Sequence, residues 1–306
     1  MANATAKTKN KMNRRKQEIF FLCTALAFPL LQFFLMYVCV NFNSILLAFK
    51  SYEDVAGSTN FVFAGFENFA EQIDRLFNDI RYGIMLKNSL TMWFFSSPMT
   101  IIIAVLIAYS VWKKVYFSGF FSTMLFMPSI LSTVVFVMIL RMLVPGVLPI
   151  ITGDPASGEI LMTNNFTTLL VYDRLLSFGV TMIYFMGAMS AISTGLVEYG
   201  KIEGVNAFQE FIHIVFPAVY PTVVSLLVVG FAQIFTNMGL ILAYHGVGAD
   251  VTLSTFGVYI YNQVKAQQSY YLYPKAAALG LLFTVTIVPV VFTAKYLLEK
   301  FGPRED

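Results

Sequence analysis

The chain reads as an all-α, polytopic membrane protein built on six spanning helices, and three observations lead there. Of its 306 residues, 58% are hydrophobic and only 12% charged, with mean hydropathy +0.71. A soluble domain carries about 25% charged residues, so this apolar excess must face lipid as well as a core. Six apolar segments each reach the ~20 residues that cross a bilayer. Between the fourth and fifth lies one polar stretch, EYGKIEGVNAFQEFIHIVFP (198–217), with a central Gly and a terminal Pro.

The elements follow in order. A basic tail, 1–18, carries Lys7, Lys9, Lys11, Arg14, Arg15 and Lys16 ahead of the apolar run 19–40. That run exceeds the apolar core of a signal peptide, and no small-x-small cleavage site follows, so it is expected to stay as the first span. Cys23 and Cys39 lie in it. Sixteen positions of helix separate them by about 24 Å, against the ~7 Å between Cα atoms that a disulfide allows. They are expected as free, buried thiols. The second span is 89–112, followed by the Lys113-Lys114 turn, and the third is 117–143. The Pro- and Gly-bearing stretch 144–158, VPGVLPIITGDPASG, reads as a turn-rich loop. Spans 167–192, 216–244 and 276–298 complete the six, and a short tail, 301–306, follows. Pro29, Pro98, Pro128, Pro221 and Pro289 fall within or near the spans, where neighbouring helices satisfy the carbonyls that proline frees. No internal repeat is visible, so 19–300 reads as a single membrane domain.

Basic residues orient the chain. Twelve of the twenty Lys and Arg fall on one side, led by the N-terminal cluster and the Lys113-Lys114 turn. Both termini and the loop 193–215 are therefore expected in the cytoplasm, with 41–88, 144–166 and 245–275 outward.

Composition also excludes. Net charge +3 is too small for a nucleic-acid partner. His213 and His245 stand alone, with no metal-ligand spacing. There is no clustered catalytic set, and so no sign of a membrane enzyme. The chain lacks G-x-x-x-x-G-K-[ST], so it cannot hydrolyse ATP by itself. An ion-gradient-driven secondary transporter is the alternative class. It predicts a pseudo-repeat, paired broken helices or a carboxylate relay, whereas the spans hold one acid, Asp173, and no repeat.

The loop 193–215 has its own logic. Asn206 with Gln209 forms a capping-box pattern, and Gly204 offers a backbone position that a side chain could not fill. One helix is expected over about 194–203 and a second over about 207–212. Leu196, Gly200 and Glu203 share a face of the first, with Tyr199 beside them; Phe208, Phe211 and Ile212 share a face of the second. Pro217 sits near the start of the next span, where a missing N–H costs least. An amphipathic connector on lipid is one reading. Glu198, Glu203 and Glu210 against Lys201 make the loop acidic, which anionic headgroups repel, so a protein partner fits better.

Polar residues inside spans are functional candidates by default. Asp173, Arg174 and Ser177 lie in the fourth span, and Gln233, Thr236 and Asn237 in the fifth. Two placements stay open for Asp173 and Arg174: a solute path, or the outer end of a shorter span. Gln233 and Asn237, one helical turn apart, either line that path or join helices. Arg141 reads as an interface anchor and His213 as an interfacial loop residue.

The loop resembles the E-A-A loop of binding-protein-dependent ABC importer permeases. That pattern runs E-A-A, an acidic-Gly pair three residues on, and an apolar-Pro pair near the next span. Here it is Glu198-Tyr199-Gly200, Glu203-Gly204 and Phe216-Pro217, with Tyr and Gly replacing the two small residues. FAGFENF (63–69), KNSL (87–90) and FMPSILS (126–132) resemble further stretches of the carbohydrate-uptake branch, so the likeness covers most of 20–300. The resemblance implies the type I permease fold and a coupling helix docked in a separate ATPase. Glu198, Tyr199, Gly200, Glu203, Gly204, Phe208 and Pro217 would form that contact. It implies two ATPase subunits that use ATP and Mg, with no cofactor on this chain. It further implies a second, different permease and an extracytoplasmic solute-binding protein. The setting would be a bacterial or archaeal cytoplasmic membrane, with this chain a non-catalytic subunit. Matched to the family's solute-binding spans, Asp173, Ser177, Gly230 and Ile234 face the solute with Asn237 nearby. Arg174 and Gln233 belong to the same pathway, and Tyr172 and Tyr184 are candidates to stack on sugar rings.

Overall fold

The computed structural model describes residues 2–55, 58–154, 166–265 and 270–303. Six helical stretches among them are long and apolar enough to cross a membrane: Lys16–Ala48, Ile80–Trp112, Thr133–Thr152, Phe166–Ser190, Ala207–Ala232 and Leu272–Phe301. In lipid the backbone must satisfy its own polar groups, which is why these apolar runs are helical. The chain divides into two compact units.

The first unit comprises the residues up to Ala70 with Tyr270–Leu281. Helix α1 (Ala2–Gln32) passes through a π-helical stretch, Phe33–Cys39, into α2 (Val40–Ala48). None of its most apolar window is buried. Cys23 and Cys39 are free, as expected, but exposed rather than buried, because no described element covers this helix. Strands β1 (Lys50–Val55) and β2 (Ser58–Phe63) pair antiparallel, with Lys50 opposite Phe63 and Tyr52 opposite Phe61. Asn68, at the start of α3 (Glu67–Asn78), donates to the carbonyls of Ala48 (3.0 Å) and Lys50 (2.7 Å). It thereby satisfies an acceptor left open at the end of α2. Phe49 packs edge-on against Phe66 just above it.

The second unit comprises Glu71–Ser269 and the residues from Leu282. Asp79 is extended (φ −94°, ψ 116°) and accepts from the Arg81 N–H, starting α4 (Ile80–Phe94). A π-helical stretch, Phe95–Met99, joins α4 to α5 (Thr100–Trp112). The second span therefore begins at Ile80, ahead of the expected 89, because Asp79 supplies the cap. The expected span 117–143 is two helices, α6 (Ser118–Ile130) and α7 (Thr133–Thr152). Leu131 and Ser132 turn extended between them, and the Ser132 hydroxyl caps α7. The expected loop 144–158 is helical through Thr152 and closed by Gly153 at φ +70°. Pro145 and Pro149 sit inside that helix, which a span tolerates when its neighbours absorb the kink. Residues 155–158 lie outside the described ones.

Helix α8 (Phe166–Ser190) is followed by the short α9 (Thr194–Ile202) and α10 (Ala207–Glu210). A π-helical stretch, Phe211–Val215, then leads straight into α11 (Phe216–Ala232). The second helix of the polar loop is thus the first turn of the fifth span, not a separate element. Nor does that span run to 244. It stops at Ala232, turns through 233–240 and resumes as α12 (Ile241–His245). Helices α13 (Phe256–Lys265) and α14 (Leu272–Phe301) complete the order.

Each π-helical stretch among the described residues has a proline inside it or within four residues: Pro29, Pro98 and Pro217. A π turn shifts the hydrogen-bond register and absorbs the N–H that proline lacks. The core of this unit packs α5, α8 and α11 through Ala104, Ala108, Met182, Phe185, Met189, Val215 and Val219. A second cluster joins Phe136 and Val137 of α7 to Leu169, Ile241, Tyr244 and Val258.

Candidate functional site

Two features of the second unit concentrate chemistry, the first being the loop between α8 and α11. Ser193 caps α9, its hydroxyl accepting from the Leu196 N–H. Asn206 and Gln209 form the full capping box, side chain to backbone in both directions, at 2.9 and 3.0 Å. Gly204 adopts φ +75° between the helices, a conformation that a Cβ penalises. The exposed apolar face of α9 is Leu196, Tyr199 and Ile202, at three-residue spacing, and Ile202 is 84% exposed. This corrects the expected face of Leu196, Gly200 and Glu203. Gly200 is buried, and a Cβ there would lie 3.0 Å from Ile214 Cδ1. Phe208 adds a further exposed ring, at 71%. Glu198 and Glu203 are exposed around this stripe. The neighbouring Glu203 carboxylate holds the Tyr199 phenol above its ordinary pKa. Pro217 is half-buried inside the continuous helix, and His213 Nδ1 meets the Gln209 carbonyl at 2.9 Å.

One member of this feature was missing from the sequence-based set. Glu210, 4% exposed, accepts from Lys113 Nζ at 2.6 Å. Tyr109 Oη donates to the Ala207 carbonyl at 2.9 Å. The loop is thus tied to the end of α5. By sequence Glu210 counts only toward the acidic character of the loop, and the hint of a partner is the cationic Lys113-Lys114 turn.

The second feature is a cleft of about 290 Å³ among the π-helical stretch Phe95–Met99, α5, α8, α11 and the turn after it. It brings together Asp173, Arg174, Ser177, Gln233 and Asn237 of the residues expected on the pathway. Asp173 is 6% exposed and ion-paired with Arg174, whose Nη1 donates to the Ser96 carbonyl at 3.1 Å. Gly230 lines the same wall, where a Cβ would come within 2.1 Å of Ser97 Oγ. Ile234 is buried instead, and neither Tyr172 nor Tyr184 lines the cleft; Tyr172 packs in the α7 cluster. The break after Ala232 forms one wall. Asn237 Oδ1 accepts from the Gly239 N–H at 2.9 Å, and its carbonyl accepts from Thr255 Oγ1 at 2.8 Å. Arg141, expected as an interface anchor, instead donates to the Tyr244 carbonyl and lies over that ring, 4.9 Å from its centroid. No metal-binding cluster occurs among the described residues.

Six candidate spans, a polar cleft at a helix break and a capped polar loop between two spans are features that suit a membrane transport subunit. The chain belongs to the family described as "Binding-protein-dependent transport system inner membrane component", which matches residues 96–305. It is a multi-pass membrane protein of the ABC permease class. It is similar to the polygalacturonan/rhamnogalacturonan transport system permease protein YteP of Bacillus subtilis (strain 168). The two are 24% identical over 291 residues, covering 88% of this chain and 85% of that one. It is also similar to the multiple sugar-binding transport system permease protein MsmF of Streptococcus mutans serotype c, 25% identical, covering 80% and 85%. A crystal structure of a bacterial ABC transporter involved in the import of the acidic polysaccharide alginate contains a chain of like fold. Its TM-score is 0.70 at 20% identity, covering 94% of this chain and 98% of that one.

Proposed function

We propose that this chain is the permease subunit of an ATP-driven importer that carries a carbohydrate across a bacterial or archaeal cytoplasmic membrane by alternating access. Family membership and relatives named for sugar transport support the cargo class. The observation that carries the coupling mechanism is the apolar stripe Leu196, Tyr199, Ile202 with Phe208, ringed by Glu198 and Glu203 on a capped, glycine-bent loop. Such a rigid exposed patch suits a groove on a soluble ATPase. Each of two ATPases binds ATP and Mg; this chain holds neither and is not itself catalytic. A second, different permease completes the pathway, and a solute-binding protein delivers cargo from outside. Both termini and the 193–215 loop then face the cytoplasm. Closure of the ATPases moves the loops, and packed helices rock as rigid bodies to switch access to the cleft.

The test is uptake by the assembled complex in proteoliposomes. Sugar uptake should require ATP and the ATPase subunits, and collapse of ion gradients should leave it intact. Uptake driven by a proton or sodium gradient without the ATPases would replace this reading with a secondary transporter.

A further inference from the structure

We infer that the intramembrane cleft accepts an uncharged saccharide and rejects one bearing carboxylates, an inference that rests on the carbohydrate reading above. Twelve residues line the cleft, and the ionisable ones among them are Asp173 and Arg174. These two neutralise each other in a direct ion pair. The guanidinium is further committed to the Ser96 carbonyl. No other base lines the wall among the described residues. Lys113 is held by Glu210, and Arg141 by the carbonyl and ring of Tyr244.

What remains for a ligand is Ser97, Ser177, Thr181, Gln233 and Asn237. Each of these side chains both donates and accepts hydrogen bonds, as sugar hydroxyls do. A uronate carboxylate would find no uncompensated cation here, since the charge of Arg174 is already balanced by Asp173 and only its Nε–H is left without a partner among the described residues. It would place a second negative charge near the buried Asp173, where like charges repel and an unpaired charge is costly. The volume of about 290 Å³ is at the small end for ligand pockets, so the cleft holds a short portion of any oligosaccharide.

The experiment uses the complete transporter in nanodiscs, without the binding protein, and measures direct binding by saturation-transfer NMR titration. The probes are matched trisaccharides differing only in oxidation of the exocyclic carbon: galactotriose and trigalacturonate, mannotriose and trimannuronate, cellotriose and triglucuronate. At least one neutral member should bind, with its uronate partner at least about tenfold weaker. Asp173→Asn, which leaves Arg174 uncompensated, should narrow or invert that ratio. Ser177→Phe should abolish binding of the neutral probe by filling the cleft; Thr181→Phe replaces it if that variant does not assemble. A uronate that binds as tightly as its neutral partner overturns the inference and leaves the carbohydrate reading standing. So does an unchanged ratio in Asp173→Asn, or neutral binding that survives the filled cleft. If none of the six probes binds, the carbohydrate reading itself falls, and this inference with it.

Discussion

Replacing Lys113 by Met removes the partner of a carboxylate that has almost no access to solvent. Glu210's side chain is 5% exposed and Lys113's 25%. Deleting one member of a buried pair costs about 3–5 kcal/mol, because the other charge is left uncompensated. Lys113 keeps some contact with water, so the lower end, about 3 kcal/mol, applies. Glu210→Gln costs less, about 1 kcal/mol, because the ammonium left behind can reach solvent and the amide can still accept its proton. Removing both charges, as in Lys113→Met with Glu210→Met, approaches neutrality, since apolar replacement of a buried pair is often neutral or stabilising. The assay is thermal unfolding of the purified chain in nanodiscs. At about 2–4 °C per kcal/mol for a domain of 150–250 residues, Lys113→Met should lower the midpoint by about 6–12 °C. The double variant should recover most of that loss, giving a clear coupling in the mutant cycle. A wild-type midpoint for Lys113→Met, or a double variant worse than either single one, would refute the buried-pair argument. Because this pair joins α5 to the loop proposed to meet the ATPase, the same variants should lower sugar carried per ATP hydrolysed.

Three other outcomes are expected. Ile202→Asp places a charge in the exposed stripe of α9 and should reduce co-purification of the ATPase at least about tenfold, while circular dichroism stays unchanged. Gly204→Leu must hold a side chain at φ +75°, a strain of about 1–2 kcal/mol; ATPase capture should fall while the six spans still insert, as protease mapping would show. Gly230→Val drives a branched side chain into Ser97 at the cleft, so uptake should be lost while ATPase capture persists.

The membrane-crossing character of this chain was legible because hydropathy is a one-dimensional signal, and twenty apolar residues in a row have few other fates. The capping box at Asn206 and Gln209 was legible for a similar reason: both partners lie within one turn. The breaks at 131–132 and 233–240 were not, since Leu131, Ile234 and Phe235 are as apolar as the helices around them. The open turn after Gln233 is held in part by a tertiary partner, Thr255, that no local pattern announces. The helix through 144–152 is hidden in the sequence because proline and glycine punctuate soluble chains more strongly than they do spans. The five pathway residues came from polarity inside apolar runs, which sufficed to name them but not to show that Asp173 and Arg174 neutralise each other. Lys113 and Glu210, ninety-seven positions apart, form a pair that no local pattern reveals.

The open turn at 233–240 has a consequence for solvent. Backbone amides outside a continuous helix need other acceptors, and hydrocarbon provides none. Near this turn Trp93 Nε1, Ser97 Oγ and Arg174 Nε also lack a protein partner among the described residues. This part of the chain therefore draws moisture to a depth that lipid would otherwise keep dry. Deuterium should enter its amides sooner than those of α5 and α8 on either side, and a transporter that keeps such a damp seam must close it at one end before it opens the other.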